Sequence, residues 1–553
     1  TYSYAYDTVA NSATHDTNGF LTTTMTDDGG NQTVVTTDLA GRTVSSTDPN
    51  AGTSSFSYDA NSNVTATLDA AGNRVNTAYD ALNRPTGRWA GTATDFASAA
   101  TADRLASWTY DSAPGGKGMA ASETSWQNGL EYTTSVTGYD ARFQVTSSKV
   151  TIPGVFGTDP LAGEWKFATT FNQAGQPVTV STPTGPVDPA VGGDPVWDQS
   201  TTQYNSFGQP VQLWPGDPSA GSGTARYVAG TAFDDLGRVT SRTLALATTG
   251  DALQRAYGYN TSTGVLDTIT AGWTTVGGTP ATWFQNDVVA RDAIGNVTSV
   301  TDNGLEPSGT ASSVKECFLY DTRNRLVRAH SAAPAAACAT STAAATVATG
   351  TLDAYDQTWT FDDINRITSR TDKLTGTATS FAYTGSKHAV VGLSGGTTAT
   401  YGYNQVGAMT SRDGTTLTYD TQQRLTSYGT TESYLYGVSN QRLVRTAGTT
   451  RTLYLPGMEV TDAAGTVTVT KWVTIGGTTV GTKTVPAGGT ASVAWNCGSL
   501  QNSVVCQAPA ASAGTIPARK RYRPYGDDRN SVTLATTDHG FLNQPEDTTG
   551  LTY

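Results

Sequence analysis

The chain has 553 residues, of which 37% are hydrophobic and 14% are charged, and its formal net charge is −12. This acidic balance disfavours binding to nucleic acid, which needs a basic face to neutralise phosphates, and to an anionic membrane surface. No apolar run approaches the ~20 residues of a transmembrane helix. Abundant glycine and a 9% aromatic content predict a β-rich, turn-rich extracellular protein rather than a disordered chain.

The N-terminal part, residues 1 to 90, predicts compact hairpins with a strand-turn-strand spacing of about ten residues. The chain opens inside an apparent strand, Tyr2 to Asp7, so we expect an internal piece of a longer protein. From residue 91 to 201 the spacing loosens, because Pro- and Gly-rich insertions cannot continue a ladder. We expect these insertions to be loops that decorate the sheet.

The C-terminal half returns to hairpins at wider and then tighter intervals. An Ala-rich stretch, residues 332 to 339, contains Pro334 and predicts a tethered loop rather than a helix. Between residues 351 and 445 the hairpins become dense again, and a group of tyrosines predicts core packing rather than a sugar-binding platform. After Arg445 the pattern changes to plain hairpins around residues 454 to 460 and 467 to 473.

One short unit recurs along the chain: an aromatic, an Asp, two variable residues, Gly or Asn, Arg, and an aliphatic residue. Its clearest copies carry the aromatic, Asp, Gly or Asn, and Arg at Tyr79, Asp80, Asn83, Arg84; Phe233, Asp234, Gly237, Arg238; Tyr320, Asp321, Asn324, Arg325; and Phe361, Asp362, Asn365, Arg366. Looser copies extend the series, and regular tandem use is a specific signal where one copy is weak.

Each position of the unit has a role in a β-hairpin. The Asp side chain can accept a backbone N–H two residues on, and Gly or Asn takes the left-handed conformation that closes the turn. We expect the Arg to cap turn carbonyls or to pair with a neighbouring Asp rather than to bind a polyanion. A single hairpin cannot bury its own apolar face, so the tandem series predicts an all-β strip of stacked antiparallel hairpins.

The four cysteines form two local pairs, Cys317 with Cys338 and Cys497 with Cys506. Neither spacing is that of a metal knuckle. We expect two disulfides rather than free thiols, which indicates an oxidising compartment outside the cytosol.

The C-terminal end carries a second ordered pattern. Its positions are Arg521, Pro524, Tyr525, Gly526, Gly540, Phe541, Asp547, Gly550 and Leu551.

The tandem unit and the C-terminal pattern together resemble the YD-repeat (Rhs) family, which includes the cocoon subunits of Tc toxins, Rhs polymorphic toxins and animal teneurins. The resemblance implies hairpins joined edge to edge in a strip that spirals into a hollow β-shell. It implies a repeat shell over residues 1 to 445, terminal hairpins with a disulfide loop over 446 to 515, and the start of an Rhs-associated core over 516 to 553. In place of the family's Asp-His-x-Gly segment the chain has Trp495 to Gln501.

No catalytic, cofactor-binding or metal site is predicted. The family's self-cleaving aspartyl site would lie beyond Tyr553, and the local carboxylates near the C-terminus are expected to be turn formers. No phosphate loop, HExxH motif or nucleophile signature is present, and the four histidines are far apart in sequence, at His15, His330, His388 and His539.

We therefore expect a structural shell of a secreted or surface toxin-like protein that encloses or presents a C-terminal cargo. Its partners would be that cargo or other parts of a longer polypeptide. An alternative is a teneurin-like adhesion scaffold that binds a glycan or protein through its inserted loops and tryptophans at 89, 108, 126, 214, 273 and 283. A cell-wall polysaccharide enzyme is a third hypothesis, for which no catalytic pair can be named.

Overall fold

The structure is a computed structural model that describes residues 12–15, 20–216, 225–312, 314–346, 352–385, 387–534 and 536–551. The predicted opening strand, Tyr2 to Asp7, lies outside these residues. The described residues form 40 strands and three short 3-10 turns at Thr101–Asp103, Ala510–Ser512 and Phe541–Asn543. Among them no helix is long and apolar enough to cross a membrane.

The first twenty strands run from the N-terminus through the insertion-rich region. They are β1 (Ser12–His15), β2 (Leu21–Thr26), β3 (Gln32–Thr37), β4 (Thr43–Asp48), β5 (Gly52–Tyr58), β6 (Val64–Leu68), β7 (Arg74–Tyr79), β8 (Pro85–Ala90), β9 (Arg104–Tyr110), β10 (Ala120–Gln127), β11 (Leu130–Tyr139), β12 (Val145–Ile152), β13 (Gly163–Phe171), β14 (Pro177–Pro183), β15 (Trp197–Tyr204), β16 (Pro210–Pro215), β17 (Val228–Phe233), β18 (Val239–Leu244), β19 (Asp251–Tyr259) and β20 (Leu266–Thr275).

The remaining strands complete the sheet. They are β21 (Gln285–Arg291), β22 (Val297–Asp302), β23 (Val314–Tyr320), β24 (Leu326–Ala332), β25 (Asp356–Phe361), β26 (Ile367–Asp372), β27 (Thr377–Tyr383), β28 (Val390–Gly395), β29 (Ala399–Tyr403), β30 (Met409–Arg412), β31 (Thr415–Tyr419), β32 (Leu425–Tyr428), β33 (Glu432–Tyr436), β34 (Arg442–Ala447), β35 (Thr450–Leu455), β36 (Met458–Ala463), β37 (Thr466–Ile475), β38 (Thr478–Pro486), β39 (Ser492–Gly498) and β40 (Val504–Pro509).

Each strand pairs antiparallel with the next strand along the chain, so the sheet is one long meander. The pairing continues through the insertion-rich region, where β14 pairs with β15, and across residue 446, where Val444 pairs with Leu453. The predicted all-β strip of antiparallel hairpins is confirmed. The insertions change the connections at its edge but do not interrupt its ladder.

The strip curls back on itself, because residues hundreds of positions apart are in contact. The backbone N–H of His388 donates to the side chain of Asn50, which is 338 positions earlier. Further along, Ser125 donates to the carbonyl of Tyr436, and Arg255 donates to the carbonyl of Asn496, with separations of 311 and 241 residues. We call the part of the strip that contains Asn50, Ser125 and Arg255 the earlier coil, and the part that contains His388, Tyr436 and Asn496 the later coil. The separation between contacting residues falls from 338 to 241 along the chain, so the later coil uses fewer residues than the earlier one.

The core lies where the earlier coil meets the later one. One cluster joins β12 and β13 to β34–β37, and it contains the fully buried Trp165 and Met458. A second cluster joins β16–β20 to β37–β40 around Trp495 and both Cys497 and Cys506. Since a single hairpin strip buries little apolar surface, contact between coils supplies the burial that stabilises it.

Candidate functional site

The repeat turn is built around its Asp, as at Asp80. One carboxylate oxygen accepts hydrogen bonds from the backbone N–H groups of Leu82 and Arg84, both at 2.9 Å. The other oxygen accepts a hydrogen bond from Nε of Arg84 at 2.7 Å. Asn83 has a φ of 62°, in the left-handed region that asparagine tolerates. The hydrogen bond from the Arg84 backbone and the contact with its side chain lower the pKa of Asp80 below its ordinary value.

The other clear copies of the unit have the same geometry. Their residue before the Arg is also left-handed, with φ of 77° at Gly237, 60° at Asn324 and 67° at Asn365. In each, the Arg pairs with the Asp of its own turn, four residues earlier, at 2.6 to 2.7 Å. The Asp thus holds both the turn backbone and the guanidinium.

The aromatic and the Arg connect successive hairpins. The Tyr79 hydroxyl donates to the carbonyl of Val64 at 3.0 Å, on the return strand of the preceding hairpin. The guanidinium carbon of Arg84 lies 4.2 Å from the ring centre of Tyr110 in the following hairpin. The same stacking joins Arg325 to Phe361 at 4.7 Å, so the unit fixes the position of each repeat relative to its neighbours.

The C-terminal segment, residues 516 to 551, contains no long strand and packs across strands from two parts of the strip. Its basic run contacts an acidic patch beside β22 and β23. Arg519 donates to Asp302 and Glu306, each at 2.8 Å, and Arg521 contacts Glu306 and donates to Asp353 at 2.9 Å. Burial opposes ionisation of Asp302, but Arg519 lowers its pKa below the ordinary value.

The remaining positions of the predicted C-terminal pattern spread along this segment. Tyr525 packs edge-on against Trp359 of β25 at 5.2 Å, and Phe541 packs against Tyr522 at 5.6 Å. Asp547 pairs with Arg442 of β34 at 2.8 Å, and the Gly550 carbonyl accepts from Arg412 at 3.5 Å. Gly526 and Gly550 have a positive φ, in the left-handed region. Pro524, Gly540 and Leu551 lie in turns or irregular backbone of the segment.

The acidic residues that receive this segment were not predicted from the sequence. Asp302, Glu306 and Glu316 lie on or near β22 and β23, and Arg529 pairs with Glu316. The basic residues of the segment were visible in the sequence, because four of the five residues from Arg519 to Arg523 are Lys or Arg in a chain with few charged residues. The partners Asp302, Glu306 and Glu316 are more than 200 positions earlier and are found only by folding the strip.

The two cysteine pairs are disulfide-bonded and hold local structure. Cys317 and Cys338 link β23 to the Ala-rich loop with a Cα separation of 5.5 Å, and Cys497 and Cys506 link β39 to β40 with 5.0 Å. The second bond lies within the core between the two coils.

The histidines that the sequence left unassigned are also placed. His330 is buried, and its Nε2 accepts the backbone N–H of Ala339 at 3.1 Å. His539 lies beside Glu459 and Asp538, and one potential ligand atom from each side chain lies within 4.8 Å of the others. Among the described residues, this group is the one whose geometry could hold a metal ion. The side chain of His15 is outside the described part of the chain.

A cavity of about 320 Å³ separates the C-terminal segment from strands β20–β24. The strands contribute apolar side chains and the carboxylates of Asp287, Asp302 and Glu316, and the C-terminal segment contributes the basic side chains of Arg519, Lys520, Arg521, Arg523 and Arg529. Burial and the charge of Asp302 raise the pKa of Asp287 to about 7. The register explains this pair, because Asp287 and Asp302 are directly opposite each other on adjacent strands.

Comparison with known proteins identifies the class of this fold. A family model for the RHS repeat matches residues 38–74. The crystal structure of TcdB2-TccC3 matches 98% of the chain and 29% of its own, with a TM-score of 0.72 at 14% identity. The Photorhabdus luminescens Tc holotoxin pore matches 98% of the chain and 28% of its own, with a TM-score of 0.70 at 14% identity.

A third structure, TcdB2-TccC3 without its hypervariable C-terminal region, matches with a TM-score of 0.72 at 14% identity, covering 98% of the chain and 28% of its own. No curated protein sequence gives a significant match. The chain therefore has the β-shell fold of the Tc toxins. It resembles the RHS-repeat, or YD-repeat, proteins, and it spans less than a third of the length of the structures that it matches.

Proposed function

We propose that the chain is part of an encapsulating shell of a secreted or surface toxin-like protein, and that the shell encloses or presents a C-terminal cargo. The observation that supports this most is the continuous strip whose later coil packs against its earlier coil. Such a wall can surround a space without a central core, which a container requires. The fold shared with TcdB2-TccC3 supports the same proposal.

The C-terminal segment supports a role for the interior of the shell. It lies against the sheet and contacts strands of both the earlier and the later hairpins through ion pairs with Asp302 and Arg442. Polypeptide that continues from such a segment would start against the wall rather than at the edge of the strip. We therefore propose that this face is the inner one and that residues 516–553 position the cargo.

The adhesion hypothesis depends on the inserted loops and tryptophans. The tryptophans that the sequence singled out are buried or half-buried, and Trp89 and Trp273 donate to backbone carbonyls of Ala93 and Thr515. These contacts support packing roles for both rings. No feature of the described loops favours adhesion over containment.

The test is protease protection of a reporter domain fused after Tyr553, compared with the same reporter fused before Thr1. We expect the C-terminal reporter to resist a protease that rapidly removes the N-terminal one. A control uses the Arg442→Ala variant, which loses the ion pair to Asp547 and should expose the C-terminal reporter. Equal digestion of both reporters in the unaltered chain would contradict containment.

A further inference from the structure

Two buried arginines lie side by side where the earlier coil faces the later one. Arg242 of β18 and Arg255 of β19 are directly opposite each other in the strand register, and they are only 5% and 6% exposed. The next pair on the same face, Leu244 and Leu253, is fully buried in the core cluster around Trp495. The two positive charges therefore lie on the face that packs against the later coil.

The surroundings of this arginine pair supply no counter-ion. Arg255 donates from Nη1 to the carbonyl of Asn496 and from Nη2 to the carbonyl of Gly498, each at 3.3 Å. Among the described residues, no carboxylate lies within ion-pair distance of either guanidinium, and Nε of both is buried without a hydrogen-bond acceptor. Burial lowers the pKa of Arg242, and the charge of Arg255 lowers it further. Like charges that are opposite each other and removed from water are costly unless an anion joins them.

A second cavity, of about 320 Å³, lies beside Arg255. Its walls come from β19, the start of β38, the turn between β39 and β40, and the C-terminal segment, and its neutral polar side chains are those of Thr478, Thr479, Asn496, Asn502 and Asn543. Within the described part of the chain, Arg255 is the one charged side chain that lines it. The cavity is therefore polar and positively charged.

Arg242 lies behind one wall of this cavity. Its Nη2 is 3.8 Å from the position that a Cβ atom would take at Gly476, and the next residue, Gly477, lines the cavity. The absence of side chains at this turn keeps the Arg242 guanidinium close to the space that Arg255 faces. Arg242 thus adds positive charge to the cavity without forming its surface.

The charge and size of the cavity select a class of ligand. Two guanidinium groups balance two negative charges, which a phosphate group carries near neutral pH and a single carboxylate does not. The N–H donors of a guanidinium match the spacing of phosphate oxygens, and hydroxyl and amide groups can donate to the remaining oxygens. A volume of about 320 Å³ is at the lower end of the range for small-molecule sites. The cavity thus suits phosphate with, at most, a short polar body.

We propose that this cavity is a binding site for a phosphate group, either inorganic phosphate or the phosphate of a small polar ester, in which Arg255 contacts the phosphate and Arg242 supplies the second positive charge. The amides of Asn502 and Asn543 then face the polar body of an ester. Because the walls come from both coils and from the C-terminal segment, the bound phosphate stabilises the contact between them. The site does not depend on whether the shell holds a cargo.

The test is calorimetric titration of the whole chain at pH 7.5 and low ionic strength, where surface screening is weak. Glycerol 3-phosphate is the ester probe, inorganic phosphate is the free form, and glycerol and glycerate are neutral and singly charged analogues. We expect one site for the phosphates, no binding of glycerol, and at least about tenfold weaker binding of glycerate. Tighter binding of glycerol 3-phosphate than of inorganic phosphate assigns the site to an ester, and the reverse order assigns it to the free ion.

Variants of Arg255 test the direct contact. Arg255→Gln should weaken phosphate binding at least about tenfold, and Arg255→Lys should weaken it less, because lysine keeps the charge but not the paired donors. Arg142→Gln removes an exposed arginine outside the cavity and should bind as the unaltered chain does. Asn502→Asp adds a negative charge at an exposed position of the wall with little change of shape, so it should weaken binding while circular dichroism stays the same.

Arg242→Met separates phosphate binding from support of the fold. Without phosphate we expect its melting temperature not to fall, because the change removes a buried charge that has no partner, whereas its affinity for phosphate should fall several-fold. A lower melting temperature with unchanged affinity would make Arg242 a structural residue and overturn its role. Equal binding by Arg255→Gln, equal binding of glycerol, or no binding of either phosphate at millimolar concentration would overturn the site.

Discussion

Asp547 accepts hydrogen bonds of 3.0 and 2.8 Å from Nη1 of Arg442, and the two side chains are only 3% and 1% exposed. The contact joins the C-terminal segment to β34, which is 105 positions earlier. Burial raises the pKa of Asp547, and the charge of Arg442 opposes that shift. The pair is thus a buried anchor for the C-terminal segment.

Removal of one partner of this anchor should release the segment. We expect Asp547→Ala to cost about 3–5 kcal/mol of local stability, because it leaves the Arg442 guanidinium buried beside fewer carboxylates. Hydrogen exchange of residues 536–551 measures the effect, while exchange in β7 and β8 serves as the internal reference. Replacing Arg442 with Met and Asp547 with Leu together should cost less than Asp547→Ala alone. An unchanged exchange pattern in Asp547→Ala would show that the pair does not hold the segment.

The left-handed residue of the repeat turn should be selective for Gly and Asn. Asn83→Gly should lower the melting temperature only slightly, because glycine adopts a φ near 62° without strain and only the exposed hydrogen bonds from Asn61 and Asn63 to Asn83 Oδ1 are lost. Asn83→Val should cost about 1–2 kcal/mol, since a β-branched residue is strained there. The check is the denaturation midpoint of both variants, with Leu82→Val at the neighbouring exposed position as a control. Equal midpoints for the Gly and Val variants would argue against this conformation.

The tyrosine of the repeat should contribute to the stability of the sheet through its hydroxyl as well as through its ring. Tyr79→Phe removes the 3.0 Å hydrogen bond to the Val64 carbonyl and should cost about 1 kcal/mol. Hydrogen exchange at β6 and β7 localises the loss to the junction between the two hairpins. The copy at Phe361 has no hydroxyl, so Phe361→Tyr is the reciprocal variant. If Tyr79→Phe exchanges as the unaltered chain does, the hydroxyl does not join the repeats.

Asp287 should make the region around the cavity less stable as the pH rises. Its pKa is raised to about 7, so the folded chain binds a proton there that an unfolded chain has lost by about pH 5. Stability from this group is therefore present near pH 4 and is lost as the pH rises through 7. Exchange in β20–β22 between pH 5 and 8 measures this loss, after correction for intrinsic exchange rates.

The matched variant for this pH effect is Asp287→Asn, which has no proton to lose. It should remove the pH dependence in β20–β22 while the exchange of β4–β6 stays the same in both proteins. A pH dependence that persists in the Asn variant would assign the effect to Asp302 or another group.

The sequence by itself determined the hairpin and its repetition. Asp80 and Asn83 act on atoms within four residues, so their spacing is enough to predict the turn, and tandem copies are enough to predict an all-β strip. These are local rules of backbone conformation, which a sequence expresses directly.

Only the tertiary structure decided which distant parts of the strip meet. Three long-range contacts depend on how the strip curves. They are the coil contact between Asn50 and His388, the pairing of Arg519 with Asp302, and the buried pair of Arg442 with Asp547. That curvature accumulates from small twists at each strand pair, and no single motif encodes it. For the same reason, the cavity at Asp287 could not be found before the C-terminal segment was placed against the sheet.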